Sequence, residues 1–238
     1  MFQWTEESID WWKRAVKCND YYEVLSKKLS HMIGEQEKVY DIGCGLGYLS
    51  MELHSYVGNI TGFDIDQRVL DDFKRELEKR KIGNVQVSNE RWEDLPPNSC
   101  DTLLACSFGI LEEHFEQFLK LAGRQVIIIR GKKARPEELL PQGASIKADC
   151  DEEFLKKHHI VYRKETVMAD FGQPLKSMEE AERFVTFYGM DQKKSIDQFL
   201  EKNLYTEEGK GGKYFLPNHK EMVIFVIDKE ENQSEKGK

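Results

Sequence analysis

The residues best suited to chemistry lie in the string VYDIGCGLGYLS at 39–50. A β-branched run ends at Asp41, and Gly43, Gly45 and Gly47 follow before a helical stretch begins. Without side chains, Gly43 and Gly45 let the backbone approach a ligand closely, and their amides face a helix start that favours carboxylate or phosphate. Two common glycine-rich signatures are incomplete here. No Gly-Lys-Ser/Thr follows, which argues against a P-loop, and a dinucleotide fingerprint wants a glycine at position 48, where Tyr stands. The second element is FDID at 63–66. Asp64 comes 21 residues after Gly43, and an acid at the end of a second strand can accept both hydroxyls of a ribose. Asp66 is better placed to cap the helix that follows.

Such a loop needs a sheet to carry it. Four times an amphipathic stretch, a glycine and a short β-branched run succeed one another, with Gly34, Gly58, Gly83 and Gly123 as the stops. Glycine suits the left-handed position that ends a helix, and each run has strand length and composition. The alternation predicts βαβ units, hence an α/β fold with a parallel sheet and helices on both faces. The spacing of Val69, Leu70, Phe73 and Leu77 predicts a helix over 66–81, and Leu111, Phe115, Phe118 and Ala122 predict one over 110–122, with His114 inside the apolar stripe. TLLAC (102–106) reads as a strand, as do 160–171 and 220–228, Asp151 as a cap for a short helix, and Ser177 with Glu180 as a capping box for a helix running to about Tyr188. The division expected is an N-terminal helical cap over 1–34, an α/β domain over 35–228 and a frayed polar tail over 229–238. In the cap, Thr5 and Asp20 are candidate helix caps, and Trp12 shares a stripe with Ile9 and Val16 while Trp11 points to the Ala15 and Cys18 side. Tryptophans on two sides suggest that one side anchors the cap and the other covers a ligand.

Composition removes several classes. The 238 residues carry a net charge of −8, which disfavours nonspecific contact with a phosphate backbone and makes nucleic acid an improbable partner. The longest apolar runs, 126–129 and 223–227, fall far short of the ~20 residues a bilayer span needs, so no membrane is expected. Five cysteines without a Cys-x-x-Cys pair argue against a disulfide framework and for a reducing, cytoplasmic setting. His158 and His159 are adjacent and would point apart on a regular element, so no metal site is expected.

Together, DIGCGLG and the spaced GFDID resemble the class I S-adenosylmethionine-dependent methyltransferases, of the bacterial small-molecule type, and the likeness continues through NVQVSNERWEDLPPNSCDTLLACSF at 84–108. The resemblance covers roughly 37–131 and implies a three-layer Rossmann-like sandwich, with a mostly parallel seven-stranded sheet whose last strand is antiparallel. It also implies S-adenosyl-L-methionine as cofactor. The loop from Asp41 through Gly43, Cys44, Gly45 and Gly47 would hold the methionine end, Asp64 the ribose, and Ile65 would pack on the adenine. Many members place an Asp on the adenine amino group where this chain has Arg91, which has no acceptor to offer. Glu90, or backbone at Arg91 and Trp92, would have to serve, and Trp92 reads equally as a packing anchor.

The acceptor is less legible. No Asn/Asp-Pro-Pro-Tyr/Phe follows 102–106; Ser107 and Phe108 stand there and would border the donor, Phe108 on the acceptor side. His114 is the candidate general base, its competing role being that of a core histidine. In the resembling family the acceptor pocket is built by the N-terminal helices and the segment before the last strands. Here those regions hold Trp4, Trp11, Trp12, Tyr21 and Tyr22, then Phe171, Phe184, Phe187 and Tyr188. The reading is a methyltransferase acting on a small molecule; its rivals are an RNA or protein methyltransferase and a non-catalytic protein that binds the cofactor.

Overall fold

The computed structural model describes residues 3–132, 148–190, 192–206 and 212–234. The chain opens with helices α1 (Glu6–Cys18) and α2 (Tyr21–Leu29), then alternates β1 (Lys38–Ile42), α3 (Tyr48–Leu53), β2 (Asn59–Phe63), α4 (Gln67–Arg80), β3 (Val85–Ser88), β4 (Cys100–Cys106), α5 (Leu111–Leu121) and β5 (Ala122–Gly131). A short 3-10 turn, Trp92–Asp94, precedes β4. After the undescribed segment come α6 (Ala148–Lys157), β6 (Arg163–Asp170), β7 (Gln173–Leu175), α7 (Met178–Phe187), α8 (Lys193–Asn203), β8 (Tyr205–Thr206), β9 (Tyr214–Leu216), β10 (His219–Asp228) and α9 (Lys229–Ser234).

Seven strands form one sheet in the order β3-β2-β1-β4-β5-β10-β6. Every pairing is parallel except the two made by β10. The antiparallel last strand therefore lies inside the sheet, between β5 and β6. From β1 the chain winds outward to β2 and β3, then returns to β4 on the other side, so the order reverses at β1. A crevice opens at the carboxyl ends of the strands at such a switch point, and the glycine loop leaves β1 there.

The strand pleat divides the core. Val39, Leu104, Ile127 and Ile224 face one layer, together with Leu25 and Leu29 of α2 and Phe73 of α4. Tyr40, Ile42, Leu103, Ile128 and Phe225 face the other, with Phe115 and Phe118 of α5. A third, smaller cluster joins Trp11 to α7, α8 and the antiparallel sheet β7-β9-β8.

Several expectations are corrected in detail. Gly34, Gly58, Gly83 and Gly123 are not left-handed; among them only the backbone of Gly58, pressed on Gln36 O, leaves no room for a Cβ. Lys81 takes the left-handed stop of α4, with φ 56°, and α5 runs straight into β5 at Ala122. Asp20 makes no side-chain cap bond, and Asp151 lies inside α6, where it is buried against Arg130. Thr5, Asp66 and Ser177 do cap α1, α4 and α7, the Thr5 box closing on Ser8. Of the segment 229–238 expected to fray, Lys229–Ser234 form α9, whose Asn232 exchanges hydrogen bonds with the Val161 backbone, and 235–238 lie outside the described residues.

Candidate active site

The loop after β1 holds three successive left-handed glycines, Gly43, Gly45 and Gly47, at φ +71°, +54° and +71°. Their reasons differ. A Cβ on Gly47 would collide with the Phe73 ring of α4, and one on Gly62 of β2 would press on both Phe73 and Cys44, so these two let α4 pack beneath the loop. A Cβ on Gly43 would strike the Phe108 ring, and one on Gly45 would stand 3.1 Å from the Trp4 ring. Gly43 and Gly45 thus present the outer, side-chain-free face of the loop.

The expectation that the loop amides await an anion does not hold. Gly43 N and Cys44 N both donate to Phe63 O, at 2.8 and 3.0 Å, and Gly47 N donates to Cys44 O at 2.9 Å. Gly45 N donates to Asp64 Oδ2 at 2.9 Å. The helix that follows, α3, has only six residues. What the loop offers a ligand is close approach rather than free donors. Asp64 ties the loop to the end of β2: its other oxygen accepts from Asp66 N at 3.0 Å. An ionised carboxylate has about four lone-pair directions, so two remain for a ligand.

Asp41 lies under the loop, 2 % exposed, and accepts from Ser50 Oγ at 2.6 Å. Burial pushes its carboxyl up to about 6, the Ser50 hydroxyl pulling back and the Asp64 charge adding to the rise. The Cys44 thiol is turned inward against Gly62, and burial holds it well above its ordinary range.

Across the crevice, β4 ends at Cys106, and Ser107 adopts a left-handed φ of 54° while donating its N–H to Ile129 O. A non-glycine residue held there costs about 1 kcal/mol or more, a strain that collects at functional turns. Phe108 follows, over Gly43, and contacts Trp92 and His114 with centroids 6.1 and 6.0 Å away. His114 sits among Trp92, Phe108 and Phe118, and a Cβ on Gly109 would press on its ring. These contacts are those of a packed histidine. Trp92 is buried in the same cluster and does not lie open to the crevice. Arg91 is exposed beside Glu93 and Asp94, Glu90 is exposed, and Ile65 stands 63 % exposed beyond Asp64.

The cap residues divide by face. Trp11 is buried against Phe184 and Phe187, donates to Glu180, and shares that carboxylate with Arg14. Of the expected substrate residues, Trp11 is buried in fastening α1 to α7, while Phe187 and Tyr188 pack half-buried against the same cluster. Trp4 and Trp12 turn the other way, edge to face at 5.4 Å, Trp4 over Gly45. Trp12 donates to the Tyr22 hydroxyl at 3.0 Å and packs on Phe171, which also meets Tyr21. Burial raises both Tyr21 and Cys106, the thiol to about 12.

Two residues passed unremarked in the sequence. Arg130, fully buried on β5, donates to Asp151 at 2.7 Å and to Gly109 O at 3.1 Å, which ties α6 to the turn carrying Ser107 and Phe108. Its only signal was a charge directly after the apolar run 126–129. Lys220 begins the matching strand β10 and lies over the Phe171 and Tyr21 rings, at 4.9 and 5.5 Å. An open cavity of about 850 Å³ also exists, lined by Asn19, Asp170, Tyr205 and Phe215 among others, but no glycine-loop residue touches it.

A protein-family match decides what this arrangement belongs to: residues 33–204 match the family described as methyltransferase domain. The chain belongs to that family. Among solved structures, the methyltransferase resembles the YcgJ protein of Bacillus subtilis, with TM-score 0.56 and 11 % identity over 87 % of this chain and 97 % of that one. It also resembles a SAM-dependent methyltransferase of Aquifex aeolicus, with TM-score 0.52 and 14 % identity over 95 % and 100 %. Magnesium protoporphyrin IX methyltransferase of Synechocystis, solved with bound SAM, gives 0.53 and 14 % over 95 % and 86 %. At such identities the likeness is one of fold. No curated protein matches the chain. Among the described residues of the methyltransferase, no helix is long and apolar enough to cross a membrane.

Proposed function

We propose that the protein transfers the methyl group of S-adenosylmethionine to a small-molecule acceptor. The observation that carries this reading is the pair formed by the left-handed loop and Asp64, at the switch point of a class I sheet. The residues fit the cofactor. Gly43 and Gly45 bring side-chain-free backbone up to the Phe108 and Trp4 rings, and Asp64 keeps two acceptor directions for neighbouring ribose hydroxyls. Asp41, buried with no paired cation among the described residues, would hold the amino-acid end together with the loop from Gly43 to Gly47, Cys44 contributing backbone alone. Ile65 offers an exposed apolar face for the adenine, Glu90 rather than Arg91 an acceptor for its amino group, and Ser107 borders the far side.

The cofactor, when bound, supplies a methyl group already activated on a sulfonium. The protein's task is then to align an acceptor and, for a hydroxyl, to remove a proton. Trp4, Trp12, Tyr21 and Phe108, with Tyr22 and Phe171, form the aromatic wall that would exclude water and orient an apolar acceptor. His114, packed behind Phe108, is assigned to that wall's support.

A small acceptor is favoured over RNA by the charges beside the loop. The cleft near Tyr48 contains Lys13, Lys17, Lys79 and Arg80, and Asp72, Glu76 and Glu52 pair with three of these four, while Asp20 and Glu23 add further negative charge to its lining. A backbone-binding groove would keep such cations free. The test is calorimetric titration with S-adenosylhomocysteine, followed by methyl transfer from labelled donor to fractionated acceptors. Binding with label in the small-molecule fraction supports the reading; binding with label in RNA or protein overturns its acceptor class.

A further inference from the structure

Lys220 differs from the paired cations around it. Around the first half of β10, Lys132 pairs with Glu221, Lys28 of α2 with Glu165 of β6, and His219 with Asp170. Lys220 has no carboxylate and no hydrogen-bond acceptor among the described residues. Its ammonium instead lies over the faces of Phe171 and Tyr21. Such contacts stabilise a cation by about 0.5–2 kcal/mol, and they leave its three N–H donors unused. The remaining neighbours, Cys106 and the tyrosines, are held neutral because burial raises them all.

Position gives this unpaired charge a use. β10 runs antiparallel to β5, so its first residues lie at the edge where the parallel strands end. Gly43, Asp64 and Ser107 occupy that same edge. Lys220 lies over the Tyr21 and Phe171 rings, and Phe171 also packs against Trp12 and Tyr22, so the ammonium and these four rings gather in one cluster. Burial has begun to disfavour its charge, drawing the amine down to about 8. A group in that condition is stabilised by any anion brought to it.

Resting on the methyltransferase reading, we propose that Lys220 is the anchor for a carboxylate on the methyl acceptor, so that the substrate class is a small monoanionic acid with an apolar or aromatic body. One positive charge meets one negative charge, and the Trp12, Tyr22 and Phe171 rings receive the body. The same pairing gives specificity, since a neutral amide of equal shape leaves the ammonium without a counter-charge.

The test uses ligand-observed NMR on the full-length protein saturated with S-adenosylhomocysteine. The probes are matched acid and amide pairs: benzoate with benzamide, phenylacetate with phenylacetamide, and indole-3-acetate with indole-3-acetamide. In at least one pair the acid should bind tenfold or more tightly than the amide, about 1.4 kcal/mol. Lys220→Met should abolish that preference and Lys220→Arg should keep most of it, both binding S-adenosylhomocysteine as wild type does. Equal response to acid and amide in every pair, including no response, overturns the proposal, as does a preference that survives in Lys220→Met. Failure of wild type to bind S-adenosylhomocysteine at all would instead count against the methyltransferase reading, so the two failures are distinct.

Discussion

Removing the Asp64 carboxylate should separate two jobs that this side chain does at once. In the free protein it accepts from Gly45 N and Asp66 N. Both bonds are charge-assisted but half-exposed, so their loss in Asp64→Ala should lower stability by about 1–3 kcal/mol. On the proposed reading, the same group would accept two ribose hydroxyls from the ligand, each worth about 1.5–3 kcal/mol and not strictly additive. The affinity for S-adenosylhomocysteine should therefore fall roughly ten- to a thousandfold. Asp64→Asn should lie between, because its amide keeps one acceptor and loses the charge. A disordered loop would also weaken binding, so the decisive assay is a cycle by titration calorimetry with S-adenosylhomocysteine and its 2′-deoxy analogue. Wild type should lose about tenfold or more on losing the hydroxyl, and Asp64→Ala should lose almost nothing further. Equal losses in both proteins would refute the ribose contact, and unchanged affinity in Asp64→Ala would remove much of the support for the cofactor assignment.

Other perturbations follow from single contacts. Gly47→Ala should destabilise by about 2–4 kcal/mol in chemical unfolding, because it adds a Cβ against the Phe73 ring at a left-handed φ; wild-type stability would dissociate the loop from α4 packing. The buried Asp41 titrates near 6 rather than 3.8, so its raised folded value contributes stability that is full below about 4 and lost as pH rises through 6, about 2–3 kcal/mol in all. Asp41→Asn should remove that slope from a pH series of unfolding midpoints, and an unchanged slope would place the titration elsewhere. Arg130→Met leaves the Asp151 carboxylate buried without its partner and should cost about 3–5 kcal/mol, with Arg130→Met/Asp151→Leu recovering much of it in denaturant titrations; no recovery would contradict the pairing. His114→Gln should leave turnover within a few-fold of wild type, whereas a general base would show a loss of about 10²–10⁴.

The loop and Asp64 were readable because glycine spacing and the acid at a strand end report backbone demands directly. The capping residues Thr5, Asp66 and Ser177 were readable for the same reason: their side chains bond the helix beside them. Gly34, Gly58, Gly83 and Gly123 were misread because a glycine between a helix and a strand need not be left-handed; Lys81 took that conformation instead. The loop amides were misread because their partners, Phe63 O and the Asp64 carboxylate, come from the next strand. Trp11 and Trp12 sit on two sides of α1, and periodicity separated them without saying which faced the crevice. That was decided by Glu180 and Phe184, about 170 residues away. Arg130 and Lys220 were invisible because nothing local marks a buried cation; their meaning depends on Asp151 in one case and on the missing carboxylate in the other.

The measurement that tests the central claim most directly is transfer of labelled methyl from S-adenosylmethionine into a cell extract, separated into small molecules, RNA and protein. Label should appear in the small-molecule fraction with wild-type protein and fall at least tenfold with Asp64→Ala at limiting donor. Label confined to RNA or protein, or transfer that Asp64→Ala leaves intact, would contradict the account.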